Sequence, residues 1–199
     1  LCEERIGVVK VGILVPVVAM TMALTACGGT EGSPVRATTT TSVADVGTTT
    51  DASAELMTLS SPVFEEQEAI PSEYTCDGED VSPPLHVEGL PTAAVSLALI
   101  ADDPDAPSGT WVHWVAYDIS PVADIARAAD PLGTAGVNSW GETGYRGPCP
   151  PSGAHHYVFH VFALDTELGL SEGASKQDVM NAIGGHVLGS AEMTGIYGR

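Results

Sequence analysis

Three apolar runs of strand length, each closed off by turn-forming residues, limit what this chain can build. They are AAVSLALIADD (Ala93–Asp103), TWVHWVAYDIS (Thr110–Ser120) and HHYVFHVFALD (His155–Asp165). β-Branched and aromatic side chains concentrate in them, and Pro/Gly/Asp-rich segments such as DPDAPSG and GYRGPCPPSG stand between. The first run is apolar without alternation, which suits a buried strand. The third alternates, so His155, Tyr157 and Phe159 share one face and His156, Val158 and His160 the other. The period lengthens only near Ser175, which is placed to cap a helix over DVMNAIGG, with Asp178 in its first turn and a Gly pair as its stop. A second short helix is expected through HVLGSAEM. The predicted class is mainly β, an antiparallel domain closed by C-terminal helix.

The N-terminal part is a different material. Arg5 and Lys10 precede the apolar run VGILVPVVAMTMALTA, Val11–Ala26. That run is shorter than the ~20 residues of a spanning helix and is interrupted by Pro16, so a signal peptide fits it better than a membrane span. It ends in Leu24-Thr25-Ala26-Cys27 and then two glycines, which resembles the bacterial lipobox. On that reading residues 1–26 are removed, Cys27 carries the lipid, and the protein is anchored in the cell membrane on its extracytoplasmic face. Residues 27–56, rich in Thr, Ser, Ala and Gly and without an aromatic side chain, read as a flexible linker that cannot bury enough surface to order itself. Residues 57–199 are then one domain of ordinary size, able to hold its own core.

Charge and cysteine use narrow the function classes. The 199 residues carry a formal charge of -19, with 7 Lys+Arg against 26 Asp+Glu. Nucleic acid is excluded as a partner, because its affinity comes from Lys and Arg displacing counterions. Cys2 goes with the leader and Cys27 with the lipid, which leaves Cys76 and Cys149. In an oxidising compartment these two could bridge, and closing a loop of that length stabilises by about 4 kcal/mol in the chain-entropy model. Two separate buried thiols are the alternative.

Polar groups gather at the ends of the three runs. Asp102-Asp103-Pro104-Asp105 follows the first, Trp111-Val112-His113-Trp114 opens the second, and Pro148-Cys149-Pro150-Pro151 leads into the third. The prolines stiffen that last loop and leave the amides of Ser152, Gly153 and Ala154 free to point at a ligand. Imidazoles, a phenol and free amides can hold a phosphate-like anion without Lys or Arg. No metal or other cofactor is implied. His156 and His160 would stand about 13 Å apart on a strand, too far to share a zinc ion. Gly169-Leu170-Ser171-Glu172-Gly173 matches a nucleophile elbow by letters only, since the helix begins at Ser175 rather than at the serine. No activated nucleophile is evident, and the chain is read as a binding protein, not an enzyme.

These residues carry a resemblance. YTCDGEDVSPPL (Tyr74–Leu85), DPDAPSGTWVHW, GYRGPCPPSGAHHYVFHVFALD and HVLGSAEMTGIYGR, in that order, are similar to the phosphatidylethanolamine-binding protein family, which includes the Raf kinase inhibitor protein. The match is to its bacterial branch and covers roughly Leu59 to Arg199. It implies a large antiparallel sheet packed on a smaller one with C-terminal helices, and a small pocket for phosphate, acetate or a phospholipid head group. By position, the resemblance assigns ligand binding to Asp103, Asp105, His113, His155 and Tyr157, with Pro150 and Pro151 as lining and Trp111 as part of the wall. Trp114 stands where the eukaryotic Trp-His-His arrangement has its second histidine. The expected function is a lipid-anchored binding protein whose affinity falls as pH rises through about 6 to 7, where imidazole loses its charge. The alternative is an inhibitor or interaction module for a kinase, a protease or a phosphorylated partner.

Overall fold

The computed structural model describes residues 56–129 and 131–199. The expected leader, Cys27 and nearly all of the linker lie outside the described residues. Two antiparallel sheets make up the domain. The smaller has the order β1-β2-β5, from strands Thr58–Ser60, Leu85–Glu88 and Asp124–Ile125. The larger has the order β6-β4-β3-β7-β8, from strands Thr134–Ala135, Trp111–Ile119, Ser96–Asp103, Ala154–Leu164 and Val187–Gly198. One helix, α1 (Lys176–Ala182), lies in the connection between β7 and β8.

The unbroken apolar run of β3 follows from its central place. All eight of its residues are buried. Leu97, Leu99 and Ala101 join Leu59, Val87, Trp114, Phe159 and Met193 in the main core. Ala98 and Ile100 face the other way, into a second cluster with Val115, Tyr117, Val179 and Ile183. A strand covered on both faces has no solvent side on which to alternate. The alternation expected of β7 is present, with His155, Tyr157 and Phe159 buried and His156 exposed.

Helix α1 begins where the sequence places it. The Ser175 side chain accepts from the Asp178 amide, and the Asp178 carboxylate accepts from the Ser175 amide, a reciprocal cap that satisfies two otherwise orphaned donors. Val179 and Ile183, four residues apart, seat this short helix on the second cluster.

The expected second helix over HVLGSAEM is not there. His186 ends the turn after α1, and Val187–Met193 belong to β8, which pairs with β7 from Val187 to Gly198. Leu, Ala, Glu and Met favour helices, but only by tenths of a kcal/mol per residue, and a long ladder outweighs that. Gly195 shows the requirement for a close approach, since a Cβ there would come within 2.5 Å of the Ile70 side chain. The C-terminal helical part is therefore α1 alone.

Candidate functional site

β3 ends, β4 starts and β7 starts at one end of the large sheet: Asp103 pairs with Trp111, and Asp102 with Val158. A cavity of about 270 Å³ opens there, lined by Asp103, Trp111, His113, Trp140, Cys149 and Pro151, with Ala106, Pro107 and Ser108 closing one side. A larger depression of about 450 Å³ lies on the small sheet around the His86–Asp124 pair. Its buried lining residues, Leu85 and Ile125, are apolar. The smaller cavity is the one that gathers buried polar groups.

A bulge aims His113 into it. The β3–β4 ladder pairs Ala101 with Trp114 and then Asp102 with Val112, so His113 is an extra residue without a partner on β3. Such an insertion breaks strict alternation and redirects a side chain. Trp114 stays in the main core and Val112 packs against the second cluster, while His113 reaches the cavity beside Trp111. The His113 ring is buried, and its Nδ1 lies 2.7 Å from the Arg146 carbonyl oxygen. A carbonyl only accepts, so Nδ1 carries the hydrogen and Nε2 is left for a ligand. Burial lowers the pKa of this imidazole below its usual value, against the opposing pull of the Arg146 carbonyl and the Asp103 charge.

The double histidine and the two aspartates of the turn prove to be matched. His155 Nδ1 donates to Asp103 Oδ2 at 2.7 Å, and the other oxygen of Asp103 accepts from the Asp105 amide at 2.9 Å. His156 donates twice to Asp105 Oδ2, from its backbone at 2.9 Å and from Nδ1 at 2.6 Å. The Asp105 carboxyl is held below its ordinary range chiefly by the His156 side chain. His155 and Asp103 are buried, whereas the His156–Asp105 pair is exposed and Asp105 is absent from the cavity lining. Each histidine thus ties one aspartate of the turn to the start of β7.

Tyr157 backs the cavity. Its ring stands edge-on to His113 with centroids 5.1 Å apart, and its buried hydroxyl has no hydrogen-bond partner. The Cys149 backbone approaches that hydroxyl without bonding geometry, and burial, with Asp103 adding to it, pushes the phenol pKa up. Pro151 lines the cavity and Pro150 is buried behind it. Of the three amides expected to be free in this loop, that of Gly153 is committed, since Gly153 and Arg199 exchange backbone hydrogen bonds at 3.1 Å.

Trp140 is the wall that sequence reasoning missed. Its ring lies 5.4 Å from Trp111 and 5.0 Å from His113, nearly perpendicular to both, with the Arg146 guanidinium 5.3 Å over it. It sits in an irregular segment without period; the one available signal was Asn138, a turn-forming residue two positions ahead.

The stiff loop is held from below by the segment around Cys76. Cys76 and Cys149 form a disulfide, Cys76 N donates to the Pro148 carbonyl, Gly147 N to Asp80, and the Tyr145 hydroxyl to the Tyr74 carbonyl. Three arginines converge on the same segment, Arg127 on Glu73 and Glu79, Arg146 on Asp80, and Arg199 on Asp77. The Asp77 carboxyl is held down to about 2 by Arg199, with Tyr197 assisting. Lys176 pairs with Asp102, so every described Lys and Arg is engaged in an ion pair. None of these cations lines the cavity; its chargeable donor is an imidazole. His160, on the opposite face of β7 from His155, lies near Asp102 and Glu192, and Ser171 sits in an exposed turn before α1.

Comparison with known proteins agrees with this architecture. The family model described as phosphatidylethanolamine-binding protein matches residues 60–198. A UPF0098 protein of Methanothermobacter thermautotrophicus is 52% identical over 151 residues, covering 72% of this chain and 99% of the relative. Among solved structures, a phosphatidylethanolamine-binding protein homologue of Chlamydia trachomatis superposes with a TM-score of 0.70 at 40% identity, covering 72% of this chain and 98% of the other. YbcL of E. coli, described as a member of the mammalian family, gives 0.67 at 28% identity over the same shares. With the family model matched over residues 60–198 and relatives this similar over nearly their whole length, the chain belongs to the phosphatidylethanolamine-binding protein family.

Proposed function

We propose that the cavity takes a small phosphate-type anion, free or as a phospholipid head group, and that the protein binds this ligand rather than turning it over. The observation that carries the reading is His113. It is a buried imidazole on the cavity wall whose Nδ1 is committed to a carbonyl, which leaves Nε2 available to a ligand. The unpartnered Tyr157 hydroxyl behind it supports the same reading, since a buried hydroxyl left unpaired is costly.

Calorimetry with inorganic phosphate and with phosphoethanolamine tests this. His113→Ala is expected to weaken both by about 10- to 100-fold, the worth of one charge-assisted hydrogen bond. His155→Ala is expected to weaken them less, by freeing Asp103 to repel the anion. Unchanged affinity in both variants would show that the anion does not bind in this cavity. Sulfate, whose own charge is constant over the range, isolates the imidazole. The bound anion favours His113 charged, while burial favours it neutral in the free protein, so binding takes up a proton between the two pKa values. Affinity is therefore highest in acid and falls as pH rises, beginning below the usual imidazole value rather than at it.

The protein is further proposed to be exported and held at the extracytoplasmic face of the cell membrane by lipid on Cys27. The Cys76–Cys149 disulfide supports export, because such bonds persist in oxidising compartments. Cys27→Ser is expected to move the protein from the membrane fraction to the soluble fraction of the envelope; continued membrane association would refute the anchor.

A further inference from the structure

The segment that carries Trp140 has no helix or strand to shape it, yet it must place an indole within 5.0 Å of His113. One side chain supplies the missing framework. Asn138 is buried, and its Oδ1 accepts from the Trp140 amide at 3.0 Å and from the Glu142 amide at 3.2 Å. Its Nδ2 donates to the Gly144 carbonyl at 3.3 Å, and its backbone amide donates to the Glu142 carbonyl at 2.8 Å. The next residue hangs this turn from β4, since Ser139 N donates to the Val112 carbonyl and Ser139 Oγ accepts from Val112 N at 2.8 Å. Val112 lies between Trp111 and His113, so the brace is anchored at the cavity wall itself. The far end of the same segment returns to His113, where Arg146 N donates to its carbonyl and the Arg146 carbonyl accepts from its ring.

We propose that Asn138 is a positioning residue for the cavity: it never meets the ligand, but its carboxamide holds Trp140 against His113. A carboxamide suits the task because it offers one acceptor to two amides and a donor to a carbonyl from a single planar group. Without it, three backbone groups of an irregular turn lose their partners, and Trp140 loses the geometry that closes the cavity. The proposal rests on the binding reading above, and one arm of the test is independent of it.

The test compares Asn138→Ala, Asn138→Asp, Trp140→Ala and the double variant Asn138→Ala/Trp140→Ala. Asn138→Asp keeps the oxygen that accepts from Trp140 and Glu142 and gives up the donor to Gly144. The expected result is that Asn138→Ala weakens phosphate binding at least tenfold, that Asn138→Asp restores it to within about threefold of the original chain, and that the double variant is no weaker than Trp140→Ala alone. The ligand-free readout is the NMR titration and chemical shift of the His113 ring, which is expected to move in Asn138→Ala and in Trp140→Ala alike. A merely structural asparagine would lower the melting temperature and leave the His113 resonance unchanged well below it; that result, or additive losses in the double variant, overturns the proposal. If the original chain binds no phosphate, the binding reading has failed and the His113 resonance still decides for or against Asn138. Should Asn138→Ala not fold, Asn138→Ser, which keeps one short acceptor, takes its place with the same expected partial loss and the same overturning outcome.

Discussion

Replacing Cys76 and Cys149 together by serine is expected to lower the stability of the domain by about 4 kcal/mol. The two cysteines are 73 residues apart, and the estimate is the chain entropy that an unfolded chain regains when a loop of that length is opened. Urea unfolding with and without reductant measures it. The midpoint should fall and the slope should rise, because the unbridged unfolded chain exposes more surface. A loss below about 1 kcal/mol would show that the unfolded chain gains little freedom. Ligand binding should suffer less than stability. Cys149 lines the cavity, but the hydrogen bonds from Gly147 to Asp80, from Cys76 to Pro148 and from Tyr145 to Tyr74 still fasten the loop to the segment beneath it.

Lys176→Met is expected to cost about 2–3 kcal/mol, at or just below the range for breaking a buried ion pair because the lysine itself is partly exposed. Asp102 is buried, one of its oxygens has no partner, and the other faces Lys176 with His160 Nε2 4.0 Å away. Removing the lysine leaves a buried carboxylate with only that distant imidazole. The pair is costly to bury as well as to break, so Asp102→Leu together with Lys176→Met should recover most of the loss. Chemical denaturation of the three variants separates the cases. A double variant as unstable as Lys176→Met would mean that the lysine acts through its stem and its place in α1 rather than through its charge.

How far the fold could be read from the chain depends on the kind of signal each element carries. β3, β4 and β7 announce themselves by composition, and α1 by a cap whose two partners are three residues apart. β8 misled because Leu, Ala, Glu and Met suit a helix, and the ladder with β7 that overrules them is not a local property. The site divides in the same way. Asp103, His113, Pro151 and Trp111 line one cavity, with His155 and Tyr157 directly behind them. Asp105 belongs to the same turn but serves His156 at the surface. Trp140 lies outside every periodic stretch, so no strand or helix period pointed to it, and the turn residue Asn138 marks only the bend.

The amino-acid sequence by itself determined the supply: strand-forming runs, a stiff proline loop, two cysteines, and two histidines to match two aspartates. These are consequences of side-chain chemistry and of spacing over a few residues, and they hold wherever the chain goes. Only the tertiary structure decided direction. Side chains on a strand change face at every residue, so a single extra residue opposite β3 is enough to send His113 to the cavity, and strand pairing across about fifty residues selects which histidine holds which aspartate. Both outcomes are collective properties of the paired sheet, beyond the reach of any local pattern.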